Sequence, residues 1–381
     1  MTQQTLTFLN GPIFDGQQLR AGLAARFEGG KLAALGPENV IGRAGKIVDL
    51  AGDILGPGYV DLQVNGGDGV MFNDDPSVST LRRIAGAHRR LGVAALLPTL
   101  ITDTREKTQA AIAAAIEAVR EAVPGIAGLH LEGPHLSLAR KGAHDPALIR
   151  PMDDEDLAML LAAAAELPVL KITIAPENVT LEQVQSLARA GVLVSLGHSD
   201  ANFDTCQAYF AAGARCVTHL FNAMSQLGNR NPGLVGATLA NGAVSAGLIA
   251  DSIHVHPQTL RAAWAAKTGP GRLFLVSDAM AVAGSDATQF TLEGRLIRRE
   301  GGRLTLEDGT LAGADLDLTT AIRVLVNDVG VGLPEALRAA TSAPAAIIGQ
   351  TTQGQLAIGC KLDSVIRIDV STQRNLLRLS R

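Results

Sequence analysis

Three residues able to ligate a metal ion each follow a short apolar run. Glu132 ends IAGLHLE, His198 ends VLVSLGH and His219 ends CVTH. Two imidazoles and a carboxylate suit a divalent ion such as Zn²⁺, and three protein ligands leave a fourth position for water. Water on zinc has its pKa lowered to about 7, so a hydrolytic nucleophile is available at neutral pH. One histidine behind a strand is more often a satisfied loop residue, whereas three ligands behind three apolar runs form a pattern. Asp278 ends LFLVSD, where a carboxylate can take a proton from that water and return it to a leaving amine. Amide cleavage needs the return step, because an amine anion leaves poorly. His254, beside His256 and Pro257, reads either as a group that polarises a scissile carbonyl or as a surface histidine. A serine nucleophile is the rival chemistry, but the chain has no G-x-S-x-G elbow, and Ser195-Leu196-Gly197-His198-Ser199 does not supply one.

The elements between these residues must bring them together. The middle of the chain alternates strand-like and helix-like segments. Strands are expected at 58–64, 93–100, 126–131, 169–174, 192–196, 216–219, 244–249 and 273–277. Helices are expected at 77–91, 104–122, 153–166, 181–190, 203–212, 257–267, 316–328 and 334–341. This fits an α/β fold, a (β/α)8 TIM-type barrel, in which chemistry sits at the C-terminal ends of the strands. An open doubly wound sheet competes, but no G-x-G-x-x-G opens a helix, and polar residues end many different strands. LTFLNGPIF, LAARFEGGKLAALG and KIVDLAGDIL near the start, and GQLAIGCKLDSVIRIDV near the end, alternate apolar and turn residues. Both termini are therefore expected to build one small sheet domain.

At 381 residues the chain exceeds an ordinary single domain, and 47% hydrophobic residues are enough for a sizeable core. Only 3% are aromatic, which speaks against a stacking platform for bases. A net charge of −4 shows no basic excess and argues against nucleic acid as a partner. A small anion needs no such excess, because one pocket arginine can hold a phosphate. Cys206, Cys216 and Cys360 form neither a CxxC pair nor a disulfide framework, so buried free thiols in a reducing cytoplasm are expected. MTQQTLTFLNGPIFDG lacks the basic and apolar regions of a secretory signal. No apolar run approaches the ~20 residues of a membrane span.

Nine motifs in order carry a resemblance that covers nearly the whole chain: PGYVDLQVNG at 57–66, HLEGPHLS at 130–137, KGAHDP at 141–146, LGHSDA at 196–201, THLFNAM at 218–224, NPGLVG at 231–236, IADSIHV at 249–255, LVSDAM at 275–280 and GTLAGA at 309–314. The sequence resembles the amidohydrolase superfamily and, within it, the N-acetylglucosamine-6-phosphate deacetylases. The resemblance implies a barrel in 56–346 with a small β-sandwich built from 1–55 and 347–381. It implies that Glu132, His198 and His219 bind metal, that Asp278 is the catalytic acid/base and that His254 contacts substrate near the acetyl carbonyl. Ala143, His144, Asn222, Ala223, Leu311, Ala312 and Gly313 would line the sugar site. Arg230, which its Gly/Asn/Pro-rich loop alone would mark as a solvated charge, resembles a phosphate-binding arginine reaching in from a neighbouring subunit. A homodimer is thereby implied.

One departure stands out. Many superfamily members carry His-x-His after the first strand and hold a second metal there, where this chain has Gln63 and Asn65. Neutral amides are poor zinc ligands beside imidazole, so one divalent metal per chain is expected, Zn²⁺ first, with Fe²⁺ or Co²⁺ suiting the same ligands. Gln63 and Asn65 would then hydrogen-bond the water or a ligand, or mark a vacant second-metal position. The expected reaction converts N-acetyl-D-glucosamine 6-phosphate to D-glucosamine 6-phosphate and acetate. The alternatives are the same chemistry on N-acetylgalactosamine 6-phosphate, and a non-catalytic binding protein on the same fold.

Overall fold

The computed structural model describes residues 5–369 and 376–378. Eight parallel strands follow one another in chain order: β1 Tyr59–Val64, β2 Val93–Ile101, β3 Leu129–Glu132, β4 Leu170–Ile174, β5 Leu193–Leu196, β6 Cys216–Val217, β7 Ser245–Leu248 and β8 Leu273–Leu275. Their near-continuous apolar runs suit strands buried on both faces. Glu132, the last residue of β3, lies beside Ile101 of β2 and Thr173 of β4. The chain just past β8 returns to β1: the Asp278 N–H donates to the Gln63 carbonyl at 3.1 Å, and the Asn65 N–H to the Ala279 carbonyl at 2.9 Å. The barrel therefore closes at the end where the candidate residues lie.

Helices cover the barrel as the sequence periodicity predicts, and side chains fix where several begin. Ser77, Thr104, Asp153, Thr180 and Asn202 each accept the backbone N–H three residues on. Each satisfies a donor that the first turn would leave without a partner. The helix expected at 316–328 is instead an α-helix, Leu318–Val324, running into a π turn, Leu325–Val329. Gly233–Ala240 is a further helix that periodicity did not reveal; most of its residues are buried, so it has no polar face. Cys206 and Cys216 are buried and Cys360 half-buried, all as free thiols. Among the described residues no helix is long and apolar enough to cross a membrane.

Two sheets from the chain ends pack against each other beside the barrel. One contains Leu6–Leu9, Leu23–Glu28, Lys31–Pro37 and Lys46–Asp49; the other contains Ile13–Phe14, Leu19–Arg20, Ile54–Pro57, Val365–Ile368 and Leu376–Arg378. Phe8, Phe27, Ile13, Leu55 and Val365 fill the space between them, with the Phe8 and Phe27 rings edge to face at 5.5 Å. Of the small unit expected at 1–55 and 347–381, residues 1–4, 370–375 and 379–381 lie outside the described residues.

A third sheet was not anticipated. Gln289–Leu292, Arg295–Glu300, Arg303–Thr305 and Leu311–Ala314 form an antiparallel meander inserted after β8. Its inner residues Leu292, Ile297, Leu304 and Ala312 pack on Met71, Ile101 and Met280, over the C-terminal mouth of the barrel.

Candidate metal centre and catalytic site

Backbone strain marks the mouth before any side chain is considered. His198, His219 and Asp278, which follow β5, β6 and β8, take φ of 47°, 30° and 49°. Phe221, Ala223 and Ser252 in the adjoining loops are also left-handed, at 80°, 48° and 63°. L-residues avoid this region, and its occupation clusters where a site over-determines the backbone. The strand expected at 216–219 stops at Val217 for the same reason: the chain turns at His219 and delivers its ring inward.

Glu132, His198 and His219 meet. Glu132 Oε1 lies 3.3 Å from His198 Nε2 and 3.0 Å from His219 Nε2, and the two Nε2 atoms are 3.1 Å apart. All three side chains are buried. A tetrahedral ion with bonds of about 2.0–2.1 Å holds its ligand atoms roughly 3.3 Å apart, so the triangle has the size a divalent ion needs. His198 Nδ1 lies 2.8 Å from the Arg140 carbonyl, which can accept its proton, and this leaves the Nε2 lone pair facing the triangle. Two such lone pairs in close approach repel unless a proton or a cation lies between them. His219 Nδ1 is buried without a partner. Burial opposes ionisation of Glu132, but hydrogen bonds and charge from His198 and His219 outweigh it and hold the carboxyl well below its usual range. Burial likewise pulls His219 down, and Glu132 more than reverses it. The donor set fits a single cation.

Asp278 sits across from this triangle, held by amides. Asn65 Nδ2 donates to Asp278 Oδ1 at 2.7 Å, and Gln63 Nε2 donates to the same oxygen at 3.1 Å. Gln63 Nε2 also reaches Glu132 Oε1 and Oε2 at 3.2 and 3.1 Å. One amide thus bridges the ligand carboxylate and the acid/base candidate. The Asp278 pKa is raised, first by burial and then by the negative charge of Glu132.

A cavity of about 570 Å³ opens over these groups. Its lining includes Asn65, Glu132, Ala143, His144, His198, His219, Asn222, Ala223, His254, Asp278, Leu311, Ala312 and Gly313. The His144 ring stacks edge-on against His198 at 4.5 Å, and burial above all pushes its pKa down to about 3. Gln63 lies beneath the cavity, joined to it through its bonds to Glu132 and Asp278. Arg230 is not part of the lining; it is exposed, in an exposed loop with Leu227. Three of the contributors that sequence reasoning missed hold or shape the site. Leu292 of the inserted sheet lines the cavity, and EG, GG and DG pairs between alternating apolar residues are the hairpin signal that could have found that sheet. Arg140 lines the cavity and pairs with Asp200 at 2.7 Å. Asp251 binds the His254 ring at 2.6 Å, and D-S-I-H carries an Asx-turn signal.

A profile described as the amidohydrolase family matches residues 54–372. The chain belongs to the amidohydrolase family. This amidohydrolase is 45% identical over 316 residues to the N-acetylgalactosamine-6-phosphate deacetylase of Shewanella sp. (strain ANA-3), covering 83% of this chain and 79% of the relative. It is 34% identical over 344 residues to the N-acetylglucosamine-6-phosphate deacetylase of Haemophilus influenzae, covering 90% and 89%. Its fold is similar to the crystal structure of N-acetylglucosamine-6-phosphate deacetylase from Pasteurella multocida, with a TM-score of 0.91, 33% identity and coverage of 98% and 97%. The structural likeness, which covers 98% of this chain, spans both the barrel and the terminal sheets of the amidohydrolase.

Proposed function

We propose that this amidohydrolase removes the acetyl group from N-acetyl-D-glucosamine 6-phosphate, with one divalent metal per chain, Zn²⁺ first. The observation that carries the reading is the placing of Asp278 beside the Glu132–His198–His219 triangle through the shared donor Gln63 Nε2. An ion held by those three residues would supply Lewis-acid activation of water at neutral pH. Asp278 accepts the proton of the attacking water and passes it to the departing nitrogen, so the amine leaves neutral. Gln63 and Asn65 hold the carboxylate in place. Both amide nitrogens are thereby engaged. His254 faces the acetyl carbonyl, while Ala143, His144, Asn222, Ala223 and Leu311 to Gly313 surround the sugar.

The phosphate needs a cation. Among the described residues of the cavity lining, Arg140 is the one lysine or arginine, and Asp200 already engages it. Arg230 of a second copy is our candidate, supported by its exposure and that of Leu227 in the same loop. The enzyme would then act as a homodimer.

A second reading, the same reaction on N-acetylgalactosamine 6-phosphate, is favoured by the name of the Shewanella relative at 45% identity. The test measures metal content and acetate release on both sugar phosphates and on unphosphorylated N-acetylglucosamine. Turnover of one 6-phosphate with about one metal per chain is expected, and its kcat/KM relative to the other assigns the sugar. No acetate from either at full metal occupancy would refute the proposal.

A further inference from the structure

The loop after β7 contains a pair of side chains that the hydrolytic scheme does not yet use as a pair. His254 lines the cavity, while Asp251 stands behind it, outside the lining. Asp251 Oδ2 lies 2.6 Å from His254 Nδ1, and the two side chains are only 5% and 7% exposed. The other carboxylate oxygen, Oδ1, accepts the backbone N–H groups of Ile253 and His254, both at 2.8 Å. Ser252 takes a left-handed φ of 63° between them, which folds the chain back on the carboxylate.

We propose that Asp251 is a positioning residue for the deacetylation: it holds the His254 ring by Nδ1–H, so that Nε2 faces the acetyl carbonyl oxygen. The inference rests on the hydrolysis proposed above. With Nδ1 committed, Nε2 is the ring nitrogen left for the cavity. When the ring carries both protons, Nε2–H donates to the carbonyl oxygen as negative charge builds there. The carboxylate behind the ring accepts Nδ1–H and so fixes which way the ring presents Nε2. A short hydrogen bond between charged partners is about twice as strong as a neutral one. Asp251 thus acts on the reaction through His254 and needs no contact with substrate.

The same carboxylate also closes the turn, and Asp251→Asn separates the two roles. It keeps a carbonyl oxygen for the Ile253 and His254 N–H groups but leaves no negative charge behind the ring. We expect full metal content, KM within about 3-fold of wild type and kcat lower by roughly 10–100-fold, the worth of a charge-assisted hydrogen bond. In a His254→Ala background the same change should cost nothing further, because the ring it acts through is gone. An equal loss in both backgrounds, or a raised KM with unchanged kcat, would overturn the inference. Independently of activity, ¹H–¹⁵N NMR of the wild type should show a ring Nδ1 proton far downfield that His254→Ala abolishes. Its absence would also overturn the pairing. Failure of the hydrolysis reading looks different: metal-loaded wild type then releases no acetate from either sugar, whatever the ring proton shows.

Discussion

Replacing Asn65 with alanine tests how the proposed acid/base, Asp278, is held. Asn65 Nδ2 makes the shorter of the two amide bonds to Asp278 Oδ1, 2.7 Å against 3.1 Å from Gln63. A hydrogen bond to a charged group contributes about 1.5–3 kcal/mol, which corresponds to roughly 10–150-fold in rate if it is fully expressed in the transition state. Two features of the site move the expectation toward the lower end. Gln63 still donates to the same oxygen, so the carboxylate is not stripped of partners. Asp278 is also anchored through its backbone, its N–H bound to the Gln63 carbonyl at 3.1 Å. A fall in kcat of roughly 10–30-fold is therefore expected, with KM nearly unchanged, because the interaction matters when the proton moves and not when the sugar binds.

The assay pairs acetate release with metal analysis of the same preparation. Asn65→Asp should be worse than Asn65→Ala, since it sets a second carboxylate against Asp278 where an amide donor stood. Wild-type kcat in Asn65→Ala at full metal content would refute the argument. So would loss of metal, because Asn65 would then be supporting the ligand triangle and not Asp278.

Three further outcomes are expected. Asp278→Asn should retain metal and lose about 10²–10⁴-fold in kcat, which metal analysis beside acetate release checks. Arg230→Gln should raise KM for the 6-phosphate by roughly 10–100-fold while leaving unphosphorylated sugar unaffected; equal effects on both would remove Arg230 from phosphate binding. Asp61→Asn should gain on the wild type in thermal stability as pH rises through about 7. Burial pushes the Asp61 carboxyl up to about 7, so the folded state favours its protonated form and that contribution is lost as pH climbs; a Tm difference that stays flat from pH 5 to 9 would contradict this.

Why some of the site was legible follows from where its residues stand. Glu132, His198, His219 and Asp278 each end an apolar run, and a barrel strand buried on both faces writes such a run plainly. Their convergence was not legible, because the left-handed turns at His198, His219 and Asp278 depend on the surrounding loops, not on residue type. Gln63 was readable as a departure from His-x-His, yet its bridging of Glu132 and Asp278 is a matter of distance across the barrel. The inserted sheet went unread, although EG, GG and DG pairs flank its strands. Gly233–Ala240 has no polar stripe, so no 3.6-residue period exists to find.

The amide pair also bears on the number of metals, through charge and donor supply together. Glu132 and Asp278 bring two carboxylates to one buried pocket, and a single divalent ion would balance both. A second ion near β1 would find as protein ligands the oxygens Gln63 Oε1 and Asn65 Oδ1, which are buried without a donor. Amide oxygens compete poorly with imidazole for zinc. Their nitrogens are already engaged: any rotation that offered both oxygens to a cation would withdraw the bonds that Gln63 and Asn65 make to Asp278. Here two neutral donors, Gln63 and Asn65, hold the Asp278 carboxylate and add no charge of their own. A carboxyl that, as we propose, accepts a proton and then releases it benefits from that restraint.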